Sequence, residues 1–198
     1  MIRYALILIL NSQFFILNCF PQSGWFWQNP LPQGNTLIFA RYINPNICFA
    51  TGGGGSIIKS TDSGINWFLQ STLTEEGIRS IFFTSLNTGF AVGTSGLLIK
   101  TTDGGMSWNR QYVNTSADLW TIGFANPNTG FTGGFNSVLK TTDGGTNWLP
   151  VLPGASFYLL QFTDSVTGYT LGENVAVYKT TNAGSNWTAI NVSAPFLW

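Results

Sequence analysis

Histidine is absent from the 198-residue chain, and charged residues make up only 8% of it. Without an imidazole, the chain cannot form a His-based catalytic triad or most zinc sites. Lys and Arg together number 8, as do Asp and Glu, so there is no basic excess to neutralise a phosphate backbone or an anionic lipid surface. We therefore expect no metal, no cofactor and no nucleic-acid partner.

Cysteine is also scarce, with one of the two residues, Cys19, near an N-terminus that differs from the rest of the chain. Arg3 precedes apolar runs at 4–10 and 14–17, which are interrupted and shorter than the roughly 20 residues of a membrane span. Residues 1–23 are therefore predicted to be a signal peptide, with a membrane anchor as the alternative. We expect a secreted, periplasmic or cell-surface protein without a stable membrane span after cleavage, in which Cys48 is a small buried hydrophobe.

What the chain has in abundance is glycine, with 23 residues, and aromatic side chains, at 15%. Aromatic and β-branched residues favour strands, whereas Gly, Asn and Asp favour tight turns. This composition predicts an all-β protein. The sequence also contains a repeat with a period of about 40 residues. It is carried by five copies of Gly-x-x-Trp, at Gly24/Trp27, Gly64/Trp67, Gly105/Trp108, Gly145/Trp148 and Gly184/Trp187.

Each period contains four short apolar segments separated by turns, as in 78–83, 90–93, 97–101 and 106–112. A four-stranded antiparallel meander repeated at this period is typical of a β-propeller blade. The sequence predicts repeats over 24–198, with four full blades at about 36–70, 77–113, 118–150 and 157–190. Partial strands at 24–30 and 194–198 favour an incomplete propeller over the alternative, a small closed ring whose terminal strands share one blade.

Between the third and fourth segments of each blade stands the pattern Ser/Thr-x-Asp-x-Gly-x-x-Trp, known as the Asp box. A carboxylate or amide at its third position can accept hydrogen bonds from backbone N–H groups. The glycine permits a positive φ, and the indole covers the base of the turn. Because a catalytic acid is needed once and a turn in every blade, we interpret the boxes as structural. Their key residues are Asp62, Gly64, Trp67, Asp103, Gly105, Trp108, Asp143, Gly145, Trp148, Asn182, Gly184 and Trp187.

All four lysines of the chain directly precede a box, at Lys59, Lys100, Lys140 and Lys179. One interpretation is a solvated side chain, or one paired locally near the box aspartate, which stabilises by at most about 1 kcal/mol. The alternative is a ring of cations on one rim that binds a partner.

The full repeat, with Thr88-Gly89-Phe90 before one strand and Lys100-Thr101-Thr102-Asp103-Gly104-Gly105 after it, resembles the photosystem II assembly and stability factor family of Asp-box (BNR-like) propellers. The resemblance covers nearly all of 24–198 and implies a non-enzymatic protein-binding or scaffold module. An arginine-rich face is implicated in partner binding in that family. Arg41, Arg79 and Arg110 occupy different places in their repeats, so that face is not carried over.

The Asp box is shared with sialidases, so a carbohydrate-active or glycan-binding propeller is the alternative function. The Arg-Ile-Pro start of those enzymes is missing, and Glu75, Glu76 and Glu173 all fall in predicted turns. Most tryptophans are assigned to the repeated turns, which leaves Trp25, Trp120 and Trp198 outside the repeat. We expect no enzymatic activity and a protein as the partner, with a glycan as the other possibility.

Overall fold

The fold was analysed in a computed structural model that describes residues 34–152, 154–172 and 176–190. These residues form four antiparallel sheets of four strands each, and each sheet is a simple meander in chain order. The predicted all-β class and the blade architecture are confirmed. The predicted signal peptide at 1–23 and the partial strands at 24–30 and 194–198 lie outside the described residues.

The four sheets are called blades 1 to 4. Blade 1 consists of β1 (Leu37–Tyr42), β2 (Cys48–Gly52), β3 (Ile57–Ser60) and β4 (Phe68–Gln70). Blade 2 consists of β5 (Ile78–Phe83), β6 (Gly89–Gly93), β7 (Leu98–Thr101) and β8 (Asn109–Arg110), with a 3-10 turn at Thr94–Gly96. Blade 3 consists of β9 (Leu119–Phe124), β10 (Gly130–Gly134), β11 (Ser137–Thr141) and β12 (Leu149–Val151). Blade 4 consists of β13 (Leu159–Phe162), β14 (Gly168–Leu171), β15 (Val177–Thr180) and β16 (Thr188–Ile190).

The hydrophobic core lies between consecutive blades. One cluster joins Phe49 and Ile57 of blade 1 to Ile78 and Ile81 of blade 2, and equivalent clusters join blades 2 and 3 and blades 3 and 4. In blades 2 and 3, which have a described blade on each side, every residue of the second strand is buried, because both faces of the sheet are covered when neighbouring blades pack on them. A blade therefore depends on its neighbours for stability.

The Thr-Gly-Phe/Tyr motif begins each second strand from blade 2 onward, and its glycine accommodates an aromatic ring. Gly89 pairs with Phe83 across the β5–β6 ladder, and a Cβ built on Gly89 would lie 2.6 Å from the Phe83 ring. Blade 1 has Cys48 at this place, paired with Tyr42. Cys48 is buried, and burial raises the pKa of its thiol, whereas 58% of the Tyr42 side chain is exposed.

Across the described residues, no helix has the length and apolar character needed to cross a membrane.

Candidate binding site

The Asp-box turns are closed by a repeated set of hydrogen bonds, shown here by the second box. The backbone N–H of Ser107 donates to Asp103 Oδ1 over 2.9 Å, and the Ser107 hydroxyl donates to Asp103 Oδ2 over 2.6 Å. The other boxes repeat the backbone bond, from Asn66 to Asp62, from Asn147 to Asp143 and from Asn186 to Asn182. The fourth box thus uses an amide oxygen where the others use a carboxylate.

The first residue of the box also has a role that the sequence analysis did not assign. The Thr101 hydroxyl accepts the backbone N–H of Gly105 over 2.9 Å and donates to Asp103 Oδ1 over 2.7 Å. Thr101 is buried. The hydroxyls at the same position in the other boxes also accept the glycine N–H and donate to the third residue of the box; they belong to Ser60, Thr141 and Thr180. The signal was present in the sequence, because the position is Ser or Thr in every copy.

The box carboxylates are held in their ionised form. Hydrogen bonds from the Ser107 hydroxyl and backbone lower the pKa of Asp103 to about 2. Bonds from the backbone and side chain of Asn147 lower the pKa of Asp143 to about 2, and those from Asn66 lower the pKa of Asp62. A carboxyl group with so low a pKa carries no proton near neutral pH and is a poor general acid.

The box glycine and tryptophan contact the preceding blade. A Cβ built on Gly145, whose φ is +76°, would lie 2.3 Å from the ring of Phe90 in blade 2. Phe90 stacks on Phe124 with 4.8 Å between centroids and meets the Trp148 ring edge-on at 6.2 Å. The same arrangement joins Phe49 to Gly105 and Phe131 to Gly184. The box is therefore part of the interface between blades as well as a turn.

The lysines lie at the same interfaces. Lys59 Nζ donates to the Gly104 carbonyl of the next blade over 2.8 Å, and Lys100 Nζ donates to the Gly144 carbonyl over 3.0 Å. Each of the four ammonium groups also lies 5.2–5.7 Å from the centre of the second-strand aromatic ring in its own blade. Among the described residues no ion pair joins a lysine to a box aspartate. Sequence reasoning missed this inter-blade contact because it linked each lysine to its own box.

Two of the three arginines are already engaged. The guanidinium of Arg41 lies 4.2 Å from the centre of the Phe82 ring, and burial lowers the pKa of Arg41. Arg110 pairs with Glu76 over 2.7 Å. Bonds from the Thr74 hydroxyl and from Arg110 lower the pKa of Glu76 to about 2. Arg79 is exposed.

An exposed aromatic cluster lies at the opposite end of the strands from the Asp boxes. Trp120 and Tyr158 stack with 5.1 Å between centroids and 18° between planes, and Phe135 lies 6.5 Å from Trp120. Tyr158 is 39% exposed and Phe135 is 53% exposed. These three residues are called the aromatic cluster.

Local structure explains how the cluster is presented. Phe135 occupies the tight hairpin between β10 and β11, where Asn136 has a φ of +53° and donates its backbone N–H to the Ser156 hydroxyl. Trp120 lies next to Leu119, which pairs with the hairpin end of β10. The indole, the phenol and the Phe135 ring are thus held by blade 3 and by the loop that begins blade 4, and the cluster bridges two blades.

The described residues contain no group of three or more His, Cys, Asp or Glu side chains placed to hold a metal ion.

A shallow polar cleft of about 790 Å³ is lined by Ser71, Leu73, Thr74, Glu75, Glu76 and Arg110. Its charged groups include the Arg110–Glu76 pair, so part of its electrostatic potential is compensated internally.

Comparison with known proteins places these features in a family. The family model described as "Photosynthesis system II assembly factor YCF48" matches residues 69–195, more than half of the chain. The solved structure described as "YCF48 bound to D1 peptide" is similar with a TM-score of 0.57 and 12% identity, covering 80% of this chain and 82% of that one. YCF48 from Cyanidioschyzon merolae is similar with a TM-score of 0.51 and 15% identity, covering 78% and 69%.

Enzyme propellers share the fold. An ancestral GH74 enzyme gives a TM-score of 0.66 at 22% identity, and this chain, with 87% of its residues aligned, spans only 26% of the enzyme. GH74 from Niastella koreensis gives 0.63 at 20% identity, covering 74% and 28%. No curated protein sequence matches the chain. At these identities the structural likenesses show the fold alone, whereas the family match extends through three of the four blades. The chain belongs to the photosystem II assembly factor family of Asp-box propellers.

Proposed function

We propose that this protein is a non-enzymatic binding module that holds an extended segment of another protein on the aromatic cluster. The observation that carries the proposal is the stacked pair Trp120–Tyr158 with Phe135 beside it, exposed at the end of the blades. Trp and Tyr are enriched among the residues that supply most of the binding energy at protein interfaces. These large rings lose little conformational entropy when they are already stacked.

The polar residues of the Asp boxes are already engaged elsewhere. The box carboxylates and the lysines Lys59 and Lys100 are committed to turns and inter-blade contacts. A family relative has been solved with a bound D1 peptide, so a peptide is a suitable first probe. In the aromatic cluster, in contrast, the rings of Tyr158 and Phe135 are exposed and that of Trp120 is partly exposed.

The test is titration of fluorescently labelled D1 peptide, and of peptides selected from a random phage-displayed library, with binding followed by anisotropy. Trp120→Ala is expected to raise the Kd at least about 30-fold, because a central aromatic anchor contributes about 2 kcal/mol or more. The matched control is Tyr112→Ala, which removes an aromatic ring that is 95% exposed and outside the cluster. If no peptide binds, or if both variants bind equally well, the proposal is wrong.

A second candidate is glycan binding on the same rings, because the flat faces of indole and phenol also pack on sugars. A GH74 neighbour is a xyloglucanase, so xyloglucan oligosaccharides serve as the probe, by calorimetry for binding and by reducing-sugar release for turnover. Binding of the oligosaccharide that is lost in Trp120→Ala, with no peptide bound, would favour this candidate over the first.

We also propose that the protein acts outside the cytoplasm, as a secreted, periplasmic or cell-surface module. The support is the sequence of residues 1–23, with Arg3 ahead of two apolar runs. N-terminal sequencing of the protein recovered from fractionated cells tests it: a chain that starts near Gly24 in the exported fraction is expected. An intact N-terminus in the cytoplasmic fraction would contradict it.

A further inference from the structure

A cavity of about 220 Å³ lies where the loop that joins blade 3 to blade 4 packs on blade 4. Ligand pockets for drug-sized molecules measure about 300–1,000 Å³, whereas a cavity of about 150 Å³ holds a single benzene ring. The space between the loop and blade 4 is therefore the size of one aromatic side chain. Its walls are mostly apolar, and they include Leu152, Ala155, Phe157, Gly172, Tyr178 and Trp187.

The tryptophan of the fourth box has a free surface on this cavity. Trp108 and Trp148, at the same place in the two boxes before it, are only 3% and 6% exposed. Trp187 is partly exposed and lines the cavity. The Phe157 ring meets its indole edge-on, with 5.3 Å between centroids and 68° between planes. The indole thus contacts one ring and still has surface to offer a second.

Another wall is a tyrosine where the preceding blades have an aliphatic residue. Ile99 and Leu139, each directly before its box lysine, are 1% exposed, whereas Tyr178 at this place is partly exposed. A Cβ built on Gly172 would lie 2.7 Å from the Tyr178 ring, so a larger residue in place of Gly172 would displace that ring. Together with Trp187, the phenol gives the cavity aromatic walls on which a ligand ring can pack edge-on or offset.

The rim of the cavity is held in an unfavourable backbone conformation. Leu152 has a φ of +50°, in the left-handed region that disfavours residues with a Cβ. Its carbonyl accepts the backbone N–H of Ala155 over 3.0 Å, and its side chain is 39% exposed. Residues kept in this region by the surrounding structure cluster at ligand-binding and active sites. The strain at Leu152 therefore supports a binding role for the rim.

The loop that lines the cavity also carries part of the aromatic cluster. Tyr158 of the cluster is three residues beyond Ala155, and three extended residues span at most about 10 Å. Between them, the Ser156 hydroxyl accepts the backbone N–H of Asn136, which follows Phe135 of the cluster. An extended segment of three to four residues is therefore long enough to reach from the cluster to the cavity.

We propose that the cavity binds one aromatic side chain of the protein segment that the aromatic cluster holds. This inference rests on the proposed function. The occupant is a Phe, Tyr or Trp side chain, because the volume admits a single ring and the walls offer rings on which it packs. The two sites together select a segment with two large apolar side chains about three residues apart, one stacked on Trp120 and the other inserted beside Trp187.

The first test measures the cavity by itself, with 5-fluoroindole as the probe and ¹⁹F NMR in the presence of the full chain. Saturable binding is expected. Ala155→Leu places a larger side chain in the cavity and is expected to raise the Kd of the probe at least about tenfold. The matched control is Ala117→Leu, the same change at the same place in the loop before blade 3, which leaves the Kd unchanged. No saturable binding, or equal Kd values for the two variants, overturns the proposal.

The second test uses phage-displayed peptides selected on the full chain. Ala155→Leu and Trp120→Ala are each expected to raise the Kd of the selected peptides at least about tenfold, whereas Ala117→Leu binds like the wild-type chain. Once the second aromatic residue of the peptide is replaced by Ala, Ala155→Leu has no further effect. Circular dichroism checks the fold, and Ala155→Val, which adds two methyl groups, replaces Ala155→Leu in both tests if that variant is unfolded.

The two variants separate this inference from the proposed function. Peptides whose Kd depends on Trp120 but is the same for Ala155→Leu and Ala117→Leu overturn the inference and leave the proposed function intact. A library that yields no binding peptide overturns both.

Discussion

The interface between blades 2 and 3 gives the sharpest prediction, for the substitution Phe90→Ala. The Phe90 side chain is fully buried, stacks on Phe124 and meets Trp148 edge-on. Truncation of a buried phenylalanine costs about 3–5 kcal/mol, because it combines lost transfer free energy with a residual cavity. The upper half of this range is expected, since the rings of Phe124 and Trp148 are too stiff to fill the space left against Gly145.

The assay is urea denaturation followed by circular dichroism. Tyr169→Ala is the matched control, because it truncates a ring at the same repeat position on a face without a described neighbour. That variant is expected to lose less than about 1 kcal/mol, as is typical of partly exposed sites. If Phe90→Ala and Tyr169→Ala lower the free energy of unfolding by similar amounts, the assignment of the core to the inter-blade interfaces is refuted.

Three further predictions concern the box and its lysine. Lys100→Met should reduce the free energy of unfolding by about 1–2 kcal/mol in urea titrations, since it removes a charge-assisted bond to the Gly144 carbonyl. Lys179→Met is the control, for which little effect is expected. Thr141→Val should cost about 1–3 kcal/mol by the same assay, because the buried N–H of Gly145 loses its acceptor, and a near-neutral result would contradict this role of the hydroxyl. The pKa of Asp103 is lowered to about 2 in the folded chain, against about 3.9 in an unfolded one, so its stabilising effect is present above pH 4 and lost as the pH falls towards 2. In thermal melts across this range, the Asp103→Asn variant should show a shallower acid dependence than the wild-type chain; an identical slope in both would contradict the assignment.

The repeat in the sequence was sufficient to predict the fold, because each signal is local. A turn such as the one at Asp103 is defined by residues within a few positions of one another, and the 40-residue period gives the meander. The end of blade 2 was less accurate. A strand was predicted over 106–112, but β8 covers only Asn109–Arg110, since Met106 to Trp108 belong to the box turn.

The contacts between blades could not be obtained in this way, because they join residues about 30 to 45 positions apart. The sequence marks Lys59 as a repeated position, but the partner that it chooses, the Gly104 carbonyl, depends on how two sheets pack. The aromatic cluster shows the same limit. Trp120 was recognised as a tryptophan outside the repeat, yet its stacking on Tyr158 follows from the two residues sharing one position in adjacent blades.

Each blade carries complementary residues on its two faces, and this affects how the number of repeats can change in evolution. Every repeat of the chain encodes both halves of the contact, with one ring and a lysine for the blade that follows, and a glycine, an indole and a second ring for the blade that precedes. A gene duplication that inserts one repeat therefore brings its own complementary surfaces, and a deletion brings together two that already match. A change in the number of repeats in this chain would therefore leave each contact between consecutive blades with its complementary residues.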